Sequence, residues 1–332
     1  MRIFVFEYIT GGGSVGSPMV ASLAAEGDLM LAAAVRDLIG VGSVEVMVCR
    51  DHRLDLPDLP IEAYWVADDW RSTWRECLRR ADAVLPIAPE TDGILEQLCR
   101  DVERSGCLLL NSSAQAVALA ASKQRTLQVL QESGVPVVES QRADALGQLP
   151  AGALVVKPDM GVGCQGIRLL SGQTAVTEFL SAQDDPGAWL VQPYLAGTAA
   201  SLSLLVGHAC ICLLGSNLQR VVQVDDGFLL LGCVVNGLRE DRAPLLELAQ
   251  RICRAIPGLW GYVGVDLVMT ERGPVVLEVN PRLTTSYVGL SRSTGRNVAE
   301  LMLGMLSDPP EHRAQSLPGK SVHIDLELGR VA

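Results

Sequence analysis

Aromatic side chains are scarce in this 332-residue chain, at 4% of positions, and runs of lysine or arginine are missing altogether. With 27 basic against 38 acidic residues the formal net charge is −11, so a nucleic-acid backbone finds no electrostatic footprint here. Long apolar stretches are also lacking: none approaches the ~20 residues that span a bilayer. The opening MRIFVFEY is a short apolar run ended by Glu7 with no small-residue cleavage site, and it reads as a buried first strand, not a signal peptide. The nine cysteines contain no CxxC pair, and several sit inside apolar runs such as CLLLN and HACICLL. Cys210 and Cys212 share one strand face, but no neighbouring His or Cys completes a metal site there. These absences leave reduced core thiols in a soluble, cytoplasmic protein with neither a nucleic-acid nor a membrane partner as the expectation.

What is present is a globular balance of 48% hydrophobic and 20% charged residues, with 32 glycines and 17 prolines marking many turns. The length suits two or three packed units. Through residue 111 apolar runs alternate with helical periodicity, predicting a parallel α/β domain. Its strands fall at 2–8, 44–49, 61–66, 82–87 and 107–110, and its helices at 18–38, 71–80 and 91–104. The triplet Gly11-Gly12-Gly13 after the first strand either brings backbone amides to an anion or makes a simple turn. A second unit, 112–195, opens with a long helical stretch stopped at Gly134, followed by strands PVVES, ALVVKP and WLVQPYL. From 196 to 332 the hydrophobic period is mostly two, with one clear helix at 243–255, which predicts an α+β unit on an antiparallel sheet.

The strongest local feature is the pair of apolar runs Gly261–Met269 and Pro274–Arg282, joined by a tight loop. A three-residue loop Glu271-Arg272-Gly273 pairs Thr270 with Pro274 and so sets Asp266 opposite Glu278. Alternation then puts Asn280 on the same face and turns Leu277 and Val279 away. Two carboxylates and an amide oxygen on one patch suit a hard divalent cation, and Arg282 continues that face toward an anionic phosphoryl group. A second feature, VVKPDMGVGCQG, ends a strand in Lys157 and runs into Gly161, Gly163 and Gly166. Its order is the reverse of a P-loop, yet such a loop can fold its amides over phosphates beside the lysine charge. Lys123, at a helix start after Ser122, completes the set.

Taken together and in this order, the residues resemble the ATP-grasp superfamily over roughly residues 112–305. By that resemblance the fold is an ATP-grasp fold behind an N-terminal parallel α/β domain. Lys123 and Lys157 correspond to the two nucleotide lysines, Gly161 to Gly166 to the mobile loop, and Gln192, Tyr194 and Leu195 to the hinge under the adenine. Asp266, Glu278 and Asn280 correspond to the metal ligands, and Arg282, with Lys157, to the catalytic cations. The chain departs from the family pattern at Ala199, where many members carry an acid for the ribose, and at Ser122, where an aspartate often precedes the first lysine. FEYITGGG, Ala88–Gly93 and Asn280–Leu290 resemble the tyramine:glutamate ligase family of methanofuran biosynthesis.

That resemblance implies a carboxylate-amine ligase using ATP and Mg²⁺, with Mn²⁺ as a substitute. It activates the γ-carboxylate of L-glutamate as an acyl phosphate for attack by tyramine or tyrosine. Glu90, Thr284, Thr285 and Ser286 are the candidate contacts to the amino-acid and amine substrates, and a homodimer is compatible with the pattern. Another amino-acid or dipeptide ligase, or a nucleotide-binding protein without catalysis, remains open from sequence.

Overall fold

The computed structural model describes residues 1–307, 313–326 and 330–331, and arranges them around three sheets. The first is wholly parallel and carries β1 (Arg2–Glu7), β2 (Glu45–Asp51), β3 (Glu62–Val66), β4 (Ala83–Ile87) and β5 (Leu108–Leu109) in the order β3-β2-β1-β4-β5. Helices α1 (Ala21–Gly40), α2 (Trp70–Leu78) and α3 (Ile94–Ser105) cover it. The continuous apolar run of β1 is what a central strand buried on both faces requires. Phe4 and Phe6 pack on Trp74, while Ile3 and Val5 join a separate core with α1.

The glycine triplet forms a packed turn. A Cβ on Gly12, whose φ is +94°, would stand 2.5 Å from Val66, and one on Gly13 would stand 2.4 Å from the Tyr8 ring. The Gly13 amide is already donated to the Tyr8 carbonyl. Of the two readings left open for this triplet, the close-packed turn is the one the contacts support.

The expected long helix after residue 112 is two helices, α4 (Ala114–Ala121) and α5 (Lys123–Glu132). Ser122 divides them: its backbone is extended, and its hydroxyl accepts from the Arg125 amide as the α5 N-cap. The second sheet holds β6 (Gln141–Arg142), β7 (Ala153–Pro158), β8 (Arg168–Ser171) and β9 (Trp189–Pro193) in the order β6-β9-β7-β8, backed by α6 (Gly172–Ser181). PVVES, expected as a strand, is not one. It makes a single bridge from Val137 to Val276, and ladder pairing starts only at Gln141.

The third sheet contains β10 (Thr198–Val206), β11 (Cys210–Val224), β12 (Gly227–Val235), β13 (Gly261–Thr270) and β14 (Gly273–Asn280), with α7 (Arg242–Ala255) on one face. After α8 (Tyr287–Thr294) and α9 (Val298–Gly304) come β15 (Arg313–Ser316), β16 (Val322–Asp325) and β17 (Arg330–Val331). The order is β14-β13-β10-β11-β12-β16-β17, antiparallel as expected, except that β15 lies parallel to the start of β11. Among the described residues no helix is long and apolar enough to cross a membrane.

Helix α1 ties the first sheet to the third. Asp37 accepts from Tyr287 Oη (3.0 Å) and Ser291 Oγ (2.7 Å) on α8, and its carbonyl accepts from Asn297 Nδ2 (2.7 Å). These bonds, with the α1 side chains buried in the main core, hold the N-terminal unit against α8 and α9.

Candidate active site

A cavity of about 460 Å³ lies between the second and third sheets and reaches helix α1 at Glu26. Strand alternation builds its walls. On β7, Leu154 and Val156 are wholly buried in the core, so Val155 and Lys157 face the cavity. On β13 and β14, Val265 and Val279 enter the core while Asp266, Glu278 and Asn280 face the opening.

The pairing of Asp266 with Glu278 matches expectation, but it arises differently. Thr270 pairs with Gly273, not Pro274, so the turn has two residues, Glu271 and Arg272. A bulge between Asp266 and Leu267 absorbs the displacement and restores the expected pairing at the acids. Leu277 is the extra residue, and it lines the cavity instead of pointing away from it. The turn itself is closed by Thr270 Oγ1, which donates to the Gly273 carbonyl (2.9 Å) and accepts from the Arg272 amide (3.2 Å).

Each acid is oriented. Asp266 accepts from Gln219 Nε2 on β11 (2.7 Å) and from Asn280 Nδ2 (3.0 Å). Burial, and then the adjacent Glu278 charge, push the Asp266 carboxyl well above the usual carboxylate range. Burial also opposes ionisation of Glu278, but Lys123 and Lys157 outweigh it and hold that carboxyl low. Lys157 is 5% exposed, and burial draws its ammonium down to about 8, with Glu278 opposing the shift and Lys123 reinforcing it. The centre thus sets two lysines against two buried carboxylates, of which Glu278 is the one the lysines hold ionised.

Lys123 stands slightly behind the cavity wall. Its Nζ donates to the Gly161 carbonyl (2.7 Å) and lies 3.4 Å from Glu278, linking the base of the glycine loop to the hairpin. Asp159 locks this end: its carboxylate accepts from Ser122 Oγ (2.8 Å) and the Gln124 amide (2.7 Å). Gly163 faces the cavity, and Gly163 and Gly166 both have positive φ, at +60° and +73°. At the hinge, Gln192 is buried and donates to Ser140 Oγ, while Tyr194 and Leu195 line the cavity mouth. Ala199 also lines it, and beside it stands Ser201, whose hydroxyl accepts from Asn217 Nδ2 (3.2 Å).

Arg282 faces the cavity with Nε donated to Glu90 (2.9 Å), a buried ion pair joining residues 192 apart. Although burial works against the guanidinium charge, Glu90 more than restores it. Glu90 therefore reaches the cavity only through Arg282 and does not line it. Thr284, Thr285 and Ser286 do line it. Thr284 and Ser286 hydroxyls are held by Tyr262 Oη (2.8 and 3.0 Å), and Thr284 fits because residue 264 is glycine: a Cβ there would stand 2.7 Å from the threonine methyl. Thr285 donates instead to Glu26 on α1.

Sequence reasoning missed Gln219, Leu277 and Glu26. Gln219 sits on a strand two positions across the sheet from β13, and no motif marks it; only the pairing of β10 with both β11 and β13 brings it to Asp266. Glu26 carries no local signal on a helix whose polar residues read as solvated.

Asp266, Glu278 and Asn280 offer oxygen atoms alone, and among the described residues no His, Cys, Asp and Glu cluster of three or more suits a softer metal. Two carboxylates and an amide are too few for an all-protein cage and fit Mg²⁺ that completes its shell with phosphate oxygens. The residues fit that ion.

An ATP-grasp domain model matches residues 120–286, and a pre-ATP-grasp domain model matches residues 44–117. The tyramine–L-glutamate ligase of Methanocaldococcus jannaschii is 25% identical over 306 residues, covering 91% of this chain and 88% of the relative. An ATP-grasp superfamily protein of Archaeoglobus fulgidus superposes with a TM-score of 0.71 at 26% identity, over 97% of this chain and 92% of that one. An L-amino acid ligase from Bacillus licheniformis shares the fold, with a TM-score of 0.65 at 16% identity over 94% and 77% of the two chains. The chain belongs to the ATP-grasp family. Within it the class is that of the ATP-dependent ligases that join a carboxylate to an amine.

Proposed function

We propose that this ligase activates the γ-carboxylate of L-glutamate with ATP and joins it to the amine of tyramine or tyrosine. The observation that carries the reading is the convergence, in one cavity, of Lys157, Asp266, Glu278 and Arg282 with the hydroxyls of Thr284, Thr285 and Ser286. Likeness to the tyramine–L-glutamate ligase over nine-tenths of the chain supports the substrates. Three units, 1–111, 112–195 and 196–332, divide the work: the second supplies the lysines and glycine loop, the third the acids, and the first closes the substrate end.

In this reading ATP lies under the 161–166 loop with its adenine at Gln192, Tyr194 and Leu195. Lys123 and Lys157 neutralise the phosphates, and Ser201 stands in for the acid missing at Ala199. Asp266, Glu278 and Asn280 would hold Mg²⁺, whose positive charge would offset the negative charge of the phosphates. A carboxylate oxygen of the substrate attacks the γ-phosphorus and ADP leaves, giving an acyl phosphate. The amine nitrogen then attacks the acyl carbon, the carbon–oxygen bond to phosphate breaks, and the amine loses a proton. Arg282, fixed by Glu90, faces the phosphoryl group through both steps. The glycine loop excludes water that would hydrolyse the acyl phosphate.

The test is ADP release with ATP, Mg²⁺, L-glutamate and tyramine, extended to a panel of amino acids and amines. The reading predicts turnover that needs both the amino acid and the amine. ATP binding with no amine-dependent turnover anywhere in the panel would sink it.

A further inference from the structure

Most charged groups at the cavity have an opposite charge or a nucleotide role, and Glu26 is the exception. It sits on α1, in the unit that contributes none of the nucleotide residues, and it faces the substrate end with Thr284, Thr285 and Ser286. Among the described residues it makes no ion pair, whereas Glu90 is spent on Arg282 and Glu278 lies 3.4 Å from Lys123. The Thr285 hydroxyl, itself buried, donates to one Glu26 oxygen and aims the carboxylate, leaving the other oxygen to accept from something else. Its position is firm, because Asp37 lies eleven residues further along α1, close to three helical turns, and is bonded to Tyr287 and Ser291. The contact that orients Glu26 and the contact that docks its helix thus lie on one face of α1.

The geometry points to Glu26 as the anchor for the ammonium group of the amino acid whose carboxylate is activated. The inference rests on the proposed ligase function and deepens it. A carboxylate that lines a cavity and makes no ion pair is a receptor for a cation. Arg282 lies close enough for Glu26 to add to the field on its guanidinium. A substrate bearing a carboxylate at Arg282 and an ammonium at Glu26 is an amino acid, and a plain carboxylic acid leaves Glu26 unpaired. Holding that ammonium also keeps the substrate's own nitrogen from attacking the acyl phosphate, leaving the reaction to the second amine.

The experiment is calorimetric binding to the full chain saturated with Mg²⁺ and a non-hydrolysable ATP analogue. Pairs of amino acid and desamino analogue serve as probes: L-glutamate with glutarate, L-aspartate with succinate and L-alanine with propionate. For the pair containing the substrate, wild type should prefer the amino acid by roughly 10–100-fold, the range for hydrogen bonds to charged groups. Glu26→Gln should bring that preference close to unity with ATP-analogue binding unchanged, and Glu26→Asp should restore part of it. In turnover the Gln variant should raise KM for the amino acid and keep kcat within about threefold, since the lost contact is equal in ground and transition states. An unchanged preference in the Gln variant overturns the proposal. So does absence of any preference in wild type, or a fall in kcat with KM unchanged, which would mark Glu26 as a base for the incoming amine. Because binding is read without turnover, an amine-independent enzyme that still shows the Glu26-dependent preference sinks the ligase reading and leaves the anchor standing.

Discussion

Two buried acidic centres in this protein resemble each other in composition and differ in what surrounds them. Asp266 and Glu278 lie at the floor of an open cavity and face two lysines. Glu7, at the end of β1, is equally buried but sealed: Thr10 donates to it from its amide (2.6 Å) and hydroxyl (2.7 Å), and Gly27 of α1 packs so close that a Cβ there would stand 2.7 Å from the carboxylate. Burial pushes the Glu7 carboxyl up to about 7, against the Thr10 hydrogen bonds. The lesson is that a buried acid alone does not mark a site. An acid with a cation beside it and room for a ligand does, and the room decides between the two readings.

That contrast can be broken or sharpened by substitution. The largest effect is expected at Glu278→Gln, which removes the acid that faces both lysines and is proposed to hold the cation. Turnover should fall by about a thousandfold or more, the scale of losing an electrostatic partner of the transition state, with circular dichroism unchanged. Near-wild-type turnover would remove Glu278 from the metal set. Next comes Lys157→Ala, in which ATP affinity should drop roughly 10–100-fold for loss of a charged contact, measured by nucleotide titration. Gln219→Leu leaves both acids in place and frees Asp266 from its orienting bond. It should raise the Mg²⁺ needed for half-maximal activity by roughly 10-fold, as loss of an outer ligand contact does. An unchanged Mg²⁺ requirement would show that Asn280 alone suffices to aim Asp266.

The smallest effect on catalysis belongs to Glu7→Gln, which should leave turnover intact and change only stability. A carboxyl whose folded value is raised contributes stability that is complete below the ordinary carboxylate range and is lost as pH rises through about 7. Wild type should therefore lose up to about 3 kcal/mol relative to the Gln variant between pH 4.5 and pH 8, read from urea unfolding at each pH. Parallel profiles for the two proteins would mean that Glu7 ionises freely in the fold. A loss of turnover in the variant would turn the sealed centre into part of the site.

The hairpin was legible because strand alternation and a tight turn are local rules, and two errors in applying them cancelled: the turn is one residue shorter and the bulge at Leu277 adds one back. The bulge itself had no local mark, so Leu277 was assigned to the wrong face. The parallel first sheet was legible from a different local rule, the uninterrupted apolar run, such as IFVF, of a strand buried on both faces. The break at Ser122 was harder, since Asp159 that helps cap α5 comes from 37 residues away. Least legible was the substrate end. Glu26 meets Thr285 there because Asp37 docks α1 on α8, a contact between residues about 250 apart in sequence, and Glu90 reaches it only through Arg282. Side-chain chemistry at that range depends on how the units pack, and no spacing along the chain encodes it.

Acyl-phosphate formation at the Asp266–Glu278 site, as proposed, would carry an oxygen from the carboxylate to the phosphate released. With γ-carboxylate-¹⁸O-labelled L-glutamate, ATP, Mg²⁺ and tyramine, the account predicts one labelled oxygen in each inorganic phosphate released, in step with amide formed. Amide formation with unlabelled phosphate, or with AMP and pyrophosphate as products, would contradict it.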